Sequence, residues 1–224
     1  MQKHAIIVAG GSGTRMGSTT PKQFLDLRGR PVIIHTIERF LEAYPDIDII
    51  LVFPEAHAEE GEAMVASFLP DLKFRTTTGG TTRFHSMQNG LRMVSDPSVI
   101  FVHDAVRCLV TSELIRACHD EALSEGSAIP VVPVRDSLRR REGSSSRVVD
   151  REGVVQVQTP QTFRSDVLLP ASRQVFHPEF TDEATVVEAS GVEVNLIPGE
   201  ETNIKLTLPA DLVMAEMILD RRRV

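Results

Sequence analysis

The chain has 224 residues, 42% of them hydrophobic, a length that fits one α/β domain and buries most of its apolar surface. Its formal charge of -7, with arginines scattered and no interleaved aromatics, argues against nonspecific nucleic-acid binding, and no run approaches the roughly 18 apolar residues of a membrane span. The N-terminus reaches Gly10 without a secretory h-region, so the cytoplasm is the expected compartment, with Cys108 and Cys118 as free, non-catalytic thiols.

In chain order, the first apolar run, near residues 5–9, reads as a buried strand of a parallel sheet. At its end, where ligands of such sheets collect, comes Ala9-Gly10-Gly11-Ser12-Gly13-Thr14-Arg15-Met16. Glycines permit positive φ and turn successive N–H groups into a concave cradle for phosphate oxygens. Cations gather there: within residues 1–30, Lys3, Arg15, Lys22, Arg28 and Arg30 stand against Asp26 alone. Two better-known glycine motifs fail. A dinucleotide fingerprint needs glycine where Met16 stands, and a P-loop needs Gly-Lys-Ser/Thr beginning five residues after its first glycine, where Arg15, Met16 and Ser18 stand instead. With Pro21-Lys22-Gln23, the loop reads as a nucleotide phosphate site built for reaction.

Pro31 suits the start of a helix that carries Ile33, Ile34, Ile37, Phe40 and Leu41 on one face. Further strands are expected near 48–53, 99–102, 128–134 and 192–197, and further helices near 56–68, 82–94, 111–124, 164–176, 182–190 and 209–221. That alternation predicts a mostly parallel, Rossmann-like sheet flanked by helices, in a single domain over 1–224. Between about 136 and 157 the pattern changes to Arg139-Arg140-Arg141, a serine cluster, and Val148, Val149, Val154, Val155 and Val157 around Gly153. This stretch reads as a projecting β-hairpin, net positive and carrying exposed valines, which is poorly stable alone and expected to pack on a second subunit. No His-Glu-x-x-His or Gly-x-Ser-x-Gly pattern supports a metal or serine hydrolase.

Taken together, the loop, Pro21-Lys22-Gln23, Gly79-Gly80, Arg83, Ser86, His103-Asp104-Ala105-Val106-Arg107, Thr159-Pro160-Gln161, Thr181-Asp182-Glu183 and Asn203-Ile204-Lys205 resemble, nearly end to end, the 2-C-methyl-D-erythritol 4-phosphate cytidylyltransferases. The resemblance implies a glycosyltransferase-A-like nucleotidyltransferase fold and a homodimer whose β-arm reaches the neighbouring subunit. It also implies Mg²⁺ and transfer of the cytidylyl group of CTP to 2-C-methyl-D-erythritol 4-phosphate, with loss of pyrophosphate, in the non-mevalonate isoprenoid route. Such chemistry needs cations more than a general base, because the attacking phosphate is already an anion near neutral pH.

By the same resemblance Arg15 and Lys22 stabilise the transition state, with Lys205 as a third cation near both phosphates. Ala9, Gly10, Gly11, Gly13, Gly80, Arg83, Ser86, Asp104 and Ala105 match nucleotide-binding positions. Asp104, Arg107, Ser137, Arg151, Thr159, Thr181 and Lys205 match positions for the polyol phosphate, with Ser137 and Arg151 expected from the partner's arm. Asp104 is also the candidate Mg²⁺ ligand, the triphosphate holding most of the ion. Asp182 and Glu183 read as helix-start residues. Departures from the family pattern are Val106 and Cys108 flanking Arg107, Thr81 after the glycine pair, Ser137 in place of threonine, and the lack of a tryptophan after Gly153. Alternatives are a ribitol 5-phosphate cytidylyltransferase, which shares the opening loop and His-Asp-Ala-Val-Arg, and a noncatalytic nucleotide-binding protein of the same fold.

Overall fold

A computed structural model describes residues 1–10 and 20–222. In its first half, β1 (Gln2–Val8) is followed by a short hairpin of β2 (Asp26–Leu27) and β3 (Arg30–Pro31), then α1 (Val32–Ala43), β4 (Asp48–Phe53), α2 (Ala58–Phe68), β5 (Phe74–Thr78), α3 (Arg83–Leu91) and β6 (Ser98–Asp104). The second half has α4 (Ser112–Glu125), β7 (Ser127–Pro133), β8 (Leu138–Glu142), β9 (Ser145–Val149), β10 (Val155–Val157), β11 (Gln161–Arg164), α5 (Ser165–Ala171), α6 (Glu183–Ala189), β12 (Leu196–Pro198) and α7 (Pro209–Arg222).

The main sheet runs β7-β11-β6-β1-β4-β5, with β10 and β12 also paired to β7. Strands β1, β4, β5 and β6 are parallel, and β11 is inserted antiparallel between β6 and β7. Both faces are covered, so the strands read as continuous apolar runs. Successive residues still separate cleanly: Ala5, Ile7, Ile49, Leu51, Val99 and Phe101 pack with α1 and α4, whereas Ile6, Ile50, Val52, Ile100 and Val102 pack with α3, α5 and α6. Phe40, Phe53, Phe101 and Phe163 are fully buried, each contributing about 1.5–3 kcal/mol. A third cluster, including Leu27, Val32, Leu109 and Leu206, seats α7. No described helix is long and apolar enough to cross a membrane.

Several boundaries differ from the sequence reading, each for a local reason. Pro31 sits in β3 with ψ 141°, and α1 begins one residue later. The 164–176 helix stops at Ala171, one residue past Pro170, whose ring occupies the place of an amide donor. The arm is smaller than 136–157: β8 and β9 pair from Leu138↔Val149 to Glu142↔Ser145, turning at Gly143 with φ +61°. Gly153, at φ +77°, makes a second turn, and Val155–Val157 return to pair with β7 in the main sheet. Cys108 and Cys118 are free and buried, and burial pushes both thiols up to about 12.

Candidate active site

The parallel strands deliver their carboxyl ends to one edge of the sheet, the position where open α/β sheets bind ligands. Hydrogen bonding continues past each strand: Ala9 N donates to Val52 O at 2.9 Å, Gly79 N to Phe53 O at 2.7 Å and Ala105 N to Val8 O at 3.1 Å. These bonds fix the rim of a cleft of about 780 Å³, walled by Gly10 and Pro21 on one side and by Gly80, Arg83 and Ser86 on the other. Asp104 and Lys205 also line it. Gly11, Gly13 and Arg15 lie outside the described residues.

One wall of the cleft is built by the start of α3. Thr82 caps the helix by accepting from His85 N, and Ser86 Oγ donates to Thr82 O at 3.0 Å while accepting from Gly80 N at 3.1 Å. A Cβ on Gly80 would lie 2.3 Å from His85 Cβ, so the turn closes onto the helix only with glycine.

Asp104 is the centre of the charged floor. Its backbone N donates to Thr159 Oγ1 at 3.1 Å, and that hydroxyl meets His103 Nδ1 at 3.0 Å. His103 Nε2 faces the carbonyl of Arg107 at 3.2 Å. A carbonyl only accepts, so Nε2 carries the proton and the Thr159 hydroxyl donates to Nδ1. Burial pushes the His103 pKa down to about 3 against the pull of Asp104, consistent with that neutral ring.

The Asp104 carboxylate binds two cations, Arg83 Nη1 at 2.6 Å through Oδ1 and Lys205 Nζ at 2.7 Å through Oδ2. Burial alone would raise its pKa, but the charges of Arg83 and Lys205 outweigh burial and hold it well below the ordinary carboxylate range. Arg83 also donates from Nη2 to Glu183 Oε2 at 2.8 Å. Burial would lower the guanidinium; Glu183 and Asp104 overcome it and hold it charged. Burial pushes the Glu183 carboxyl up, with Arg83 opposing. Arg107 donates to Asn203 O at 2.9 Å, and its Nε lies 3.7 Å from Asp104 Oδ2 without a hydrogen bond among the described residues.

Lys205 is placed by the turn before α7. Leu206 N donates to Val106 O at 2.9 Å, and Asp211 Oδ2 accepts from Thr207 N and Leu208 N at 2.7 Å each. Lys22, 8% exposed, reaches the same turn, with Nζ 3.5 Å from Leu206 O. Three cations, Arg83, Arg107 and Lys205, thus lie within 4 Å of Asp104, and a fourth, Lys22, reaches the turn that carries Lys205, in a chain of formal charge -7. Such a floor is suited to a polyanion.

The structure does not gather every expected residue here. Ser137 and Arg151 are exposed at the base of the arm, Arg151 donates to the carbonyl of Arg135, and neither lines the cleft. Thr181 is exposed just before the Asp182 cap of α6, while Thr159 lies behind Asp104. Two residues carry more than their sequence context suggested. His103, named in the sequence only as part of His103-Asp104-Ala105-Val106-Arg107, meets the Thr159 hydroxyl, and Glu183, read as a helix start, is the buried partner of Arg83.

Residues 3–221 match the family model for 2-C-methyl-D-erythritol 4-phosphate cytidylyltransferase. The chain belongs to that family. A 2-C-methyl-D-erythritol 4-phosphate cytidylyltransferase from Bacteroides thetaiotaomicron is 43% identical over 219 residues, spanning 98% of this chain and 100% of its own. One from Porphyromonas gingivalis is 44% identical over 220 residues, spanning 97% and 98%. Among solved structures, the Thermus thermophilus 2-C-methyl-D-erythritol 4-phosphate cytidylyltransferase superposes with a TM-score of 0.75 at 31% identity, covering 98% of this chain and 100% of that one. The fold expectation holds: a mostly parallel sheet with flanking helices, shared with 2-C-methyl-D-erythritol 4-phosphate cytidylyltransferases.

Proposed function

We infer that the chain transfers the cytidylyl group of CTP to 2-C-methyl-D-erythritol 4-phosphate, forming 4-diphosphocytidyl-2-C-methyl-D-erythritol and pyrophosphate in the non-mevalonate isoprenoid pathway. The observation that carries this reading is the convergence of Arg83, Arg107 and Lys205 on Asp104 at the carboxyl ends of parallel strands, with Lys22 against the turn that carries Lys205, in a chain whose relatives carry that name. A phosphate oxygen of the polyol phosphate attacks the α-phosphorus of CTP. The bond from that phosphorus to the α,β-bridging oxygen breaks, and its electron pair leaves with pyrophosphate. Lys22 and Arg15 neutralise the charge growing on the five-coordinate phosphorus and the leaving group, and Lys205 holds the incoming phosphate. Gly10, Gly11 and Gly13 cradle the triphosphate through backbone N–H groups, and Gly80 and Ser86 seat the nucleoside.

Asp104 accepts from a sugar hydroxyl with lone pairs that Arg83 and Lys205 leave open. A divalent cation, Mg²⁺ by proposal, would supply further charge neutralisation on the triphosphate. Asp104 would be its carboxylate ligand, with the triphosphate and water holding most of the ion. Arg107, with an unused Nε donor, and Thr181 belong to the polyol-phosphate side. Ser137 and Arg151 serve that side from the arm of a second subunit, which is how they act without lining their own chain's cleft. A reaction between two charged metabolites that do not cross membranes unaided belongs in the cytoplasm.

The test is pyrophosphate release from CTP and Mg²⁺ with 2-C-methyl-D-erythritol 4-phosphate or ribitol 5-phosphate offered in parallel. Release with the methylerythritol substrate alone is expected. A preference for ribitol phosphate would overturn the substrate, and silence with both would overturn cytidylyl transfer.

A further inference from the structure

Along the cleft floor, and ending on the buried Glu183 behind it, runs a row of alternating charges with three short links. Glu183 Oε2 accepts from Arg83 Nη2 at 2.8 Å, Arg83 Nη1 donates to Asp104 Oδ1 at 2.6 Å, and Asp104 Oδ2 accepts from Lys205 Nζ at 2.7 Å. The Glu183 side chain is 2% exposed and the Arg83 side chain 26%. Arg83 opens α3 and Glu183 opens α6, two helices packed in one apolar cluster through Phe84, Met87, Ala184 and Val187. The backbone therefore holds both ends of the pair.

A guanidinium is a rigid planar fork, and its preferred grip on a carboxylate is bidentate, two parallel N–H donors on two oxygens. Arg83 does not grip Asp104 that way, because its second nitrogen is turned to Glu183. That leaves Asp104 Oδ2 to Lys205. We propose that Glu183 is a positioning residue that restricts Arg83 to a one-point hold on Asp104 and so keeps Asp104 Oδ2 and Lys205 in reacting position. Without the Glu183 charge, Arg83 closes on both Asp104 oxygens, displaces Lys205, and uses the lone pairs intended for substrate. Glu183 itself touches neither substrate, and it has this role only if the cleft is the cytidylyl-transfer site.

The experiment compares steady-state kinetics of wild type, E183Q, E183D and the double variant R83Q/E183Q, with CTP and methylerythritol phosphate varied separately and folding checked by thermal unfolding. E183Q keeps the size and an acceptor oxygen but loses the charge, and it is expected to lower kcat about 10- to 100-fold while the KM for CTP moves less than about 3-fold. E183D keeps the charge and is expected within about 5-fold of wild type. R83Q/E183Q removes both buried charges, so it is expected to unfold near the wild-type temperature yet turn over slowly, having nothing to hold Asp104 Oδ1. Turnover of E183Q within about 2-fold of wild type, as a packing role predicts, would overturn the proposal, as would wild-type turnover in the double variant. Should E183Q fail to fold, E183D decides: a rate at least about 10-fold above the double variant supports the role, and equal rates overturn it. Wild type silent with both polyol phosphates would refute the cytidylyltransferase reading itself, a result distinct from an active wild type with an indifferent E183Q.

Discussion

At the turn from β5 into α3, Gly80 is pressed so closely on the helix that a methyl group would sit 2.3 Å from His85 Cβ and 3.0 Å from the His85 backbone carbon. Backbone cannot yield as a flexible side chain can, so Gly80→Ala is expected to cost about 1–3 kcal/mol and to raise the KM for CTP by spoiling the wall that Ser86 shares. A urea midpoint and a CTP titration check both parts. Lys22 is proposed to act through charge. Lys22→Met keeps most of the buried stem, and its turnover is expected to fall about 10²- to 10³-fold with the unfolding temperature little changed. Near-normal turnover would remove Lys22 from the transition state. The sequence marked Gly80, Lys22, Asp104 and Lys205 because each sits in a local motif. Glu183 was legible only as a helix start: its partner Arg83 is 100 positions away, and the sequence carries no local trace of that meeting.

Among elements, the strands legible in advance are those buried on both faces. β1, β4 and β6 are apolar nearly throughout because helices cover each side of them. β5, with the sequence Phe-Arg-Thr-Thr-Thr, escaped notice as a half-buried edge strand beside β4, and β11 was hidden by polar residues that bond to the start of α6, such as Gln161, whose Oε1 accepts from Ala184 N at 2.8 Å. Val155 and Val157 were assigned to the arm because an exposed hairpin and an outlying strand share the same alternation; the structure gives them to β10. The arm that remains, β8 and β9, pairs only with itself among the described strands, and Val148 at its side is 70% exposed. Arg151→Ala is expected to raise the KM for the polyol phosphate more than that for CTP. Mixing Arg151→Ala chains with Lys22→Met chains tests where the arm acts. A heterodimer regains one intact site if the arm reaches across, and none if it serves its own subunit, with mixed dimers confirmed by mass.

For the molecule as a whole, the buried imidazole beneath the site sets a pH dependence of stability. His103 titrates at about 3 against an ordinary 6.5, so below 6.5 the unfolded chain binds a proton that the folded chain refuses. Its stabilising contribution is fully present above 6.5 and is lost as pH falls toward 3, at up to about 1.4 kcal/mol per pH unit. His4, also lowered by burial, acts in the same direction, and Asp104, held low by Arg83 and Lys205, adds its loss below the ordinary carboxylate range. Urea midpoints at pH 7 and pH 5 are expected to fall for wild type and to fall less for His103→Gln.

The burial of Cys108 and Cys118 also makes the chain a silent background for spectroscopic reporters. Their thiols, raised to about 12, stay protonated and walled off at neutral pH, out of reach of maleimide dyes and nitroxide labels. A single cysteine installed at Ser144, in the exposed tip of the hairpin, would then take up one label per chain. In the proposed dimer, the distance between two such labels would follow the arms as substrates are added.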